Sequence, residues 1–175
     1  SEGVSGKFAM NVFTFMWNNR AQMFSLTAEH MFLVLVAVIV AIVVGVPAGI
    51  AITRRPNWAK PVLTFANVVQ TIPSLALFGF LIPIPFLGGI GATTAIIALV
   101  LYSLLPIIRG TFAGISGVDP SVREAGRAMG MTDAQLLYQV ELPLALPVIF
   151  SGIRVATVVA IGVATIAAAI GAGGL

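Results

Sequence analysis

The sequence predicts an all-α fold, a polytopic bundle of helices packed in a lipid bilayer. Three observations predict it. Between Lys60 and Arg109 lie 48 residues without one charged side chain. Over the whole chain of 175 residues, 59% are hydrophobic and 9% charged, against about 25% charged in a soluble domain. The 18 glycines and the Ala-rich segments suit helices that approach closely, where lipid supplies no hydrophobic drive. A helix rises ~1.5 Å per residue and a bilayer core is ~30 Å thick, so one span takes ~20 residues. The uncharged stretch therefore holds two spans and a turn. The shortage of charge excludes a water-soluble globule and leaves little room for a large extramembrane domain. The net charge of +3 sits beside apolar runs, which is a topology signal and does not point to nucleic acid.

Residues 1–30 form an N-terminal segment, and residues 31–175 the transmembrane domain. In the first part, Phe8, Met10, Val12, Phe13, Phe15, Met16 and Trp17 alternate with Asn11, Asn18, Asn19 and Arg20. That mixture reads as an interfacial helix. The chain starts with Ser, so a natural N-terminus is expected upstream. The first 25 residues carry no apolar core of signal-peptide type.

Span 1 is expected over 31–52, which is uncharged and rich in Val, Ile and Ala; Gly45, Pro47 and Gly49 are tolerated in a membrane helix. A basic loop, 53–60, follows with Trp58 at interface depth. Span 2 is expected within 61–81. Pro83, Pro85, Gly88, Gly89 and Gly91 form a turn. Span 3 is expected over 92–108, a polar loop over 109–143, and span 4 over 147–170. Arg54, Arg55 and Lys60 mark one loop, and Arg109, Arg123 and Arg127 the other. Basic loops face the cytoplasm, so both lie inside, and the 87–91 turn and the N-terminus lie outside. Arg154, near the inner edge of span 4, is expected to snorkel or to pair with a loop carboxylate.

The polar loop reads as two short helices. Asp119 caps the first with Pro120 at its first position, and Gly130 ends it. Thr132 caps the second, which Pro143 closes. Ala125, Ala128 and Met129 recur at i, i+3, i+4, flanked by Arg123, Glu124 and Arg127. Such a face can lie in a groove of another protein or pack on the chain's own spans, and the sequence leaves both open.

Within the spans, Asn67, Gln70, Thr71 and Ser74 fall at i, i+3, i+4, i+7. Pro73 should bend that helix and free a carbonyl. This face either lines a pathway or bonds to a neighbouring helix. Tyr102, Ser103, Thr157 and Thr165 are further polar residues in apolar surroundings. Phe65, Phe78, Phe80 and Phe86 read as packing or lipid contacts, and no aromatic cage for an ammonium is evident. There is no cysteine, and His30 has no ligating cluster. No metal site, cofactor or disulfide is expected. The carboxylates Glu124, Asp133 and Glu141 have no nucleophile partner. The two lysines, Lys7 and Lys60, are not in a phosphate-binding loop, so the chain is not expected to be an enzyme.

Glu124-Ala125-Gly126, three residues, Gly130, nine residues, then Val140-Glu141-Leu142-Pro143 resembles the EAA motif of ABC importer membrane subunits. The family pattern is Glu-Ala-Ala, Gly and Ile-x-Leu-Pro at the same spacing. Gly126 stands for the second Ala, and Val140 for Ile. Residues 67–77, Asn-Val-Val-Gln-Thr-Ile-Pro-Ser-Leu-Ala-Leu, resemble the second span of the glycine betaine/carnitine/choline permeases. The resemblance implies a type I importer permease of a bacterial or archaeal inner membrane, carrying a small compatible solute. It implies an ATP-binding subunit, a second permease copy or homologue, and an extracytoplasmic solute-binding protein as partners. Glu124, Ala125, Gly126 and Gly130 would belong to the ATPase contact, with Leu142 and Pro143 at its end. Related permeases continue beyond a Gly-rich end like 171–174, so the final span or spans are expected to be missing. A passive facilitator and a membrane anchor are the alternative readings.

Overall fold

The computed structural model describes residues 14–84, 89–169, 171 and 173. Residues 7–13 of the expected interfacial helix, Pro85, Phe86 and Gly88 of the turn, and residues 170, 172 and 174–175 lie outside the described residues. The described chain is helical throughout, without a strand. Helix α1 runs Arg20–Arg54, α2 Pro56–Thr71, α3 Ser74–Leu81, α4 Ala92–Ser116, α5 Pro120–Ala128, α6 Asp133–Leu136 and α7 Leu142–Ala169. A π-helical turn, Leu137–Glu141, joins α6 to α7.

Three of these elements are long and apolar enough to cross a membrane, and α2 with α3 makes a fourth crossing if the bent pair is one span. The boundaries differ from the sequence expectation in ways that charge alone does not govern. Helix α1 begins at Arg20, eleven residues before the uncharged run, because nothing between Arg20 and Met31 breaks a helix. Helix α4 passes through Arg109 and stops at Ser116, before Gly117. A charge ends an apolar run without ending a helix. Pro143 does not close the second loop helix; it sits in the first turn of α7. Proline lacks an N–H, and the widened π-turn just before it is where the hydrogen-bond ladder can do without one.

The core lies where α4 packs between α1 and α7. Leu33, Val34 and Ala37 of α1, Ala95, Ala98 and Leu99 of α4, and Ala160, Ala164 and Ala167 of α7 are buried in one cluster with Phe78 of α3. Small residues set the closeness of these contacts. A Cβ on Gly49 would lie 2.5 Å from Thr111 Cβ, and one on Gly152 would lie 2.6 Å from the carbonyl oxygen of Pro106. The helices touch backbone to backbone at Gly110 and Gly152. Outward-facing Val43, Val44, Phe65, Phe80 and Val158 are exposed, as a lipid-facing surface requires.

Span 2 is the irregular element. Helices α2 and α3 meet at a bend of 100°. Pro73 cannot continue the ladder, and Ile72 takes an extended conformation, φ −72° and ψ 125°. The residue before proline is driven there by steric clash.

Candidate functional site

The polar loop folds as its capping residues dictate. Asp119 accepts a hydrogen bond from the Ser121 backbone N–H at 2.8 Å. That bond holds its carboxyl below the usual carboxylate range. Pro120 occupies the first turn of α5. Gly130 ends the segment at φ +82°, in the left-handed region that glycine enters without strain. Thr132 and Gln135 form a capping box at the start of α6.

The sequence-identified residues of the loop divide into two groups. Glu124, Ala125 and Gly130 are exposed, as are Ala128 and Met129. Met129 is 75% exposed. Gly126 is buried and faces inward, where a Cβ would lie 2.7 Å from Leu136 Cδ1 and 3.2 Å from Met131 Sδ. Leu142 is half-buried and Pro143 exposed. The face of Ala125, Ala128 and Met129 is therefore not packed on the chain's own spans, and the covered side of α5 is the one at Gly126. Gly126 packs on the chain's own Leu136, while Glu124, Ala125, Ala128 and Met129 stay uncovered.

Beneath α5 lies a feature that sequence reasoning missed. Glu141 is 1% exposed and pairs with two arginines. Arg123 Nε of α5 is 2.9 Å from its Oε1. Arg54, at the end of α1, reaches its Oε2. Arg123 also donates through Nη2 to the carbonyl of Ile115 in the last turn of α4, where a cation suits the helix dipole. One buried carboxylate thus ties the inner ends of α1 and α4 and the loop helix to the start of α7. A polar recess of about 250 Å³ surrounds the group, with Thr53, Ser116 and Arg127 on its walls. The sequence placed Glu141 at a variable motif position and Arg54 among topology signals. The available hint was a lone acid at the edge of an apolar span.

In span 2, Asn67, Gln70 and Ser74 are half-buried and Thr71 is exposed. Ser74 lies beyond the bend, so the single polar face read from sequence ends at Thr71. Thr71 Oγ1 donates to the Val68 carbonyl at 2.7 Å, back into its own helix. Gln70 Nε2 donates to the Tyr102 carbonyl of α4 at 3.0 Å. The Tyr102 hydroxyl donates in turn to the carbonyl of Ile72, which the bend deprives of a helical partner. Two reciprocal bonds therefore clamp the bend to α4. Gln70 also borders a recess of about 360 Å³ between α2, α4 and α7. Among the described residues, no group of three or more His, Cys, Asp or Glu is arranged to hold a metal ion.

Comparison with known proteins places this geometry. The family described as binding-protein-dependent transport system inner membrane component matches residues 41–175. The osmoprotectant import permease protein OsmW of Salmonella typhimurium is 51% identical over 95% of this chain and 78% of its own length. The glycine betaine/carnitine/choline transport system permease protein OpuCB of Bacillus subtilis is 46% identical over 93% of this chain and 73% of its own. Among solved structures, an inward-facing form of the MetNI methionine ABC transporter superposes with a TM-score of 0.77 at 26% identity. It covers 88% of this chain and 78% of the matched chain.

Proposed function

Because the chain belongs to the binding-protein-dependent transport system inner membrane components, we propose that its exposed α5 face is the lever through which a separate ATPase drives it. The chain is the multi-pass inner-membrane permease subunit of an ABC importer of the osmoprotectant group. Its cargo is a small quaternary amine of the kind that its relatives' names carry: glycine betaine, carnitine or choline.

The observation that carries the coupling role is a contrast in burial. On one side of α5, Gly126 and Arg123 fasten the helix to Leu136 and Glu141. On the other, Glu124, Ala125, Ala128 and Met129 are uncovered. A braced helix with a small-residue outer face can seat in a cleft of a partner and pass on its movement. A loosely attached one would absorb it. Asp119, Glu124, Arg127 and Asp133 set orientation around that face. The working assembly pairs this chain with a second copy or a homologue, two ATP-binding subunits and a solute-binding protein. In it the loop and the N-terminal basic loop 53–60 face the cytoplasm, and Asn67, Gln70, Thr71 and Ser74 border the pathway.

The test is co-purification of the chain with its ATPase, followed by ATP-dependent uptake in proteoliposomes. Glu124→Lys and Ala125→Glu should abolish capture of the ATPase while the variants still insert. Uptake that persists without ATP, or variants that bind the ATPase normally, would refute the coupling role. The first of those results would restore a passive facilitator.

A further inference from the structure

We propose that the recess between α2, α4 and α7 is a transit site for the carboxylate of a zwitterionic solute, anchored by Arg109. The proposal deepens the importer reading and rests on it for the identity of the solute.

Gln70, Arg109, Gly110, Ser151 and Gly152 line the recess. Its volume of about 360 Å³ is at the lower end of small-molecule clefts, ~300–1,000 Å³. Arg109 lies about two turns before the end of α4 at Ser116, so its Cα is ~10 Å inside the helix end. It is exposed and has no carboxylate partner among the described residues. The reason is compositional. No acid occurs between Glu29 and Asp119, and α7 carries none. Glu141, the nearest acid in sequence to α7, is already held by Arg54 and Arg123. Arg154, one turn along α7 from Ser151, is exposed and equally without a carboxylate.

Unpaired arginines at membrane depth are costly against acyl chains and mark polar pathways. Arg109 borders the recess, and Gln70 and Ser151 are the other polar side chains of a mostly apolar lining. A planar guanidinium binds a carboxylate through two parallel N–H bonds. Gln70 Nε2 keeps a second N–H after donating to the Tyr102 carbonyl, and the Ser151 hydroxyl adds a donor. Among the described residues no aromatic ring lines the recess, so they offer no face to hold a quaternary ammonium by cation–π attraction. The site therefore reads the anionic end of the solute.

The chain contains no cysteine, so a single Ser151→Cys can be labelled cleanly. The assembled complex, in liposomes, is treated with sulfonatoethyl or trimethylammonioethyl methanethiosulfonate. With each rate normalised to that of a small free thiol, the anionic reagent should react about six-fold faster than the cationic one, as expected for one unit charge ~8 Å away in largely aqueous surroundings. Arg109→Gln should abolish that preference, and Arg109→Lys should keep most of it. Carnitine should slow labelling, whereas choline, which lacks the carboxylate, should not. Equal normalised rates for both reagents, no labelling by either, or equal protection by choline would overturn the site. So would protection that follows the anionic lipid content, which would assign Arg109 to headgroups. Loss of ATP-dependent uptake with this labelling pattern intact would overturn the importer reading instead, and leave the carboxylate site standing.

Discussion

Replacing Glu141 by Gln removes one negative charge from the junction of α1, α4, α5 and α7 while keeping the side chain's shape. Glu141 is 1% exposed, and the side chains of Arg123 and Arg54 are 22% and 36% exposed. Arg54 is hydrogen-bonded to Glu141 and Arg123 is ion-paired with it; a charged polar contact exceeds a neutral one by about 1 kcal/mol, so each loses about that much. Two contacts make the loss about 2 kcal/mol. It stays below the ~3–5 kcal/mol of a stranded buried charge, because both arginines can recover water. The exposure of Arg54 discounts its share further. The share that falls on the attachment of α5 is the Arg123 contact, about 1 kcal/mol, since Arg54 belongs to α1; the Arg123 Nη2 bond to the Ile115 carbonyl remains. Backbone amides of residues 120–128 should then exchange with deuterium about 5-fold faster, as ~1 kcal/mol of local opening requires. Hydrogen–deuterium exchange with mass spectrometry on the purified complex measures this directly. A cycle with Arg123→Gln should show coupling of ~0.5–3 kcal/mol. Unchanged exchange in 120–128, or strictly additive effects of the two substitutions, would refute the idea that one carboxylate braces the loop.

Three further outcomes follow from the packing and the cap. Gly152→Ala should cost ~1–3 kcal/mol or block assembly, because its Cβ would meet the fixed carbonyl of Pro106 at 2.6 Å; thermal melting of the detergent-solubilised protein reads this. Gly126→Ala should be mild and Gly126→Phe severe, since the contacts are the ends of the Leu136 and Met131 side chains, which can yield to one methyl group but not to a ring; loop exchange rates distinguish the two. The lowered pKa of Asp119 means that its cap is fully present above the ordinary carboxylate range and is lost as pH falls through the lowered value; exchange of the α5 amides, corrected for intrinsic rates, should rise at acid pH in the native chain, and Asp119→Asn should remove that dependence.

The sequence by itself determined what is local. Hydropathy located the membrane-crossing stretches, because burial in lipid is a property of each segment. Asp119, Pro120, Gly130 and Thr132 gave the loop its two helices, since a cap acts within a few residues. Pro73 announced the bend, though not its 100°. Only the tertiary structure decided which side of α5 is free, that Gly126 faces inward, and that Ser74 leaves the face shared by Asn67, Gln70 and Thr71. It alone joined Arg54 to Glu141 across 87 residues and Gln70 to Tyr102 across 32. Helix ends followed stopping residues and packing, so a charge such as Arg109 marked the edge of an apolar run without marking the end of α4. Pairing over such separations depends on which helices become neighbours, and no periodicity within a single helix encodes that.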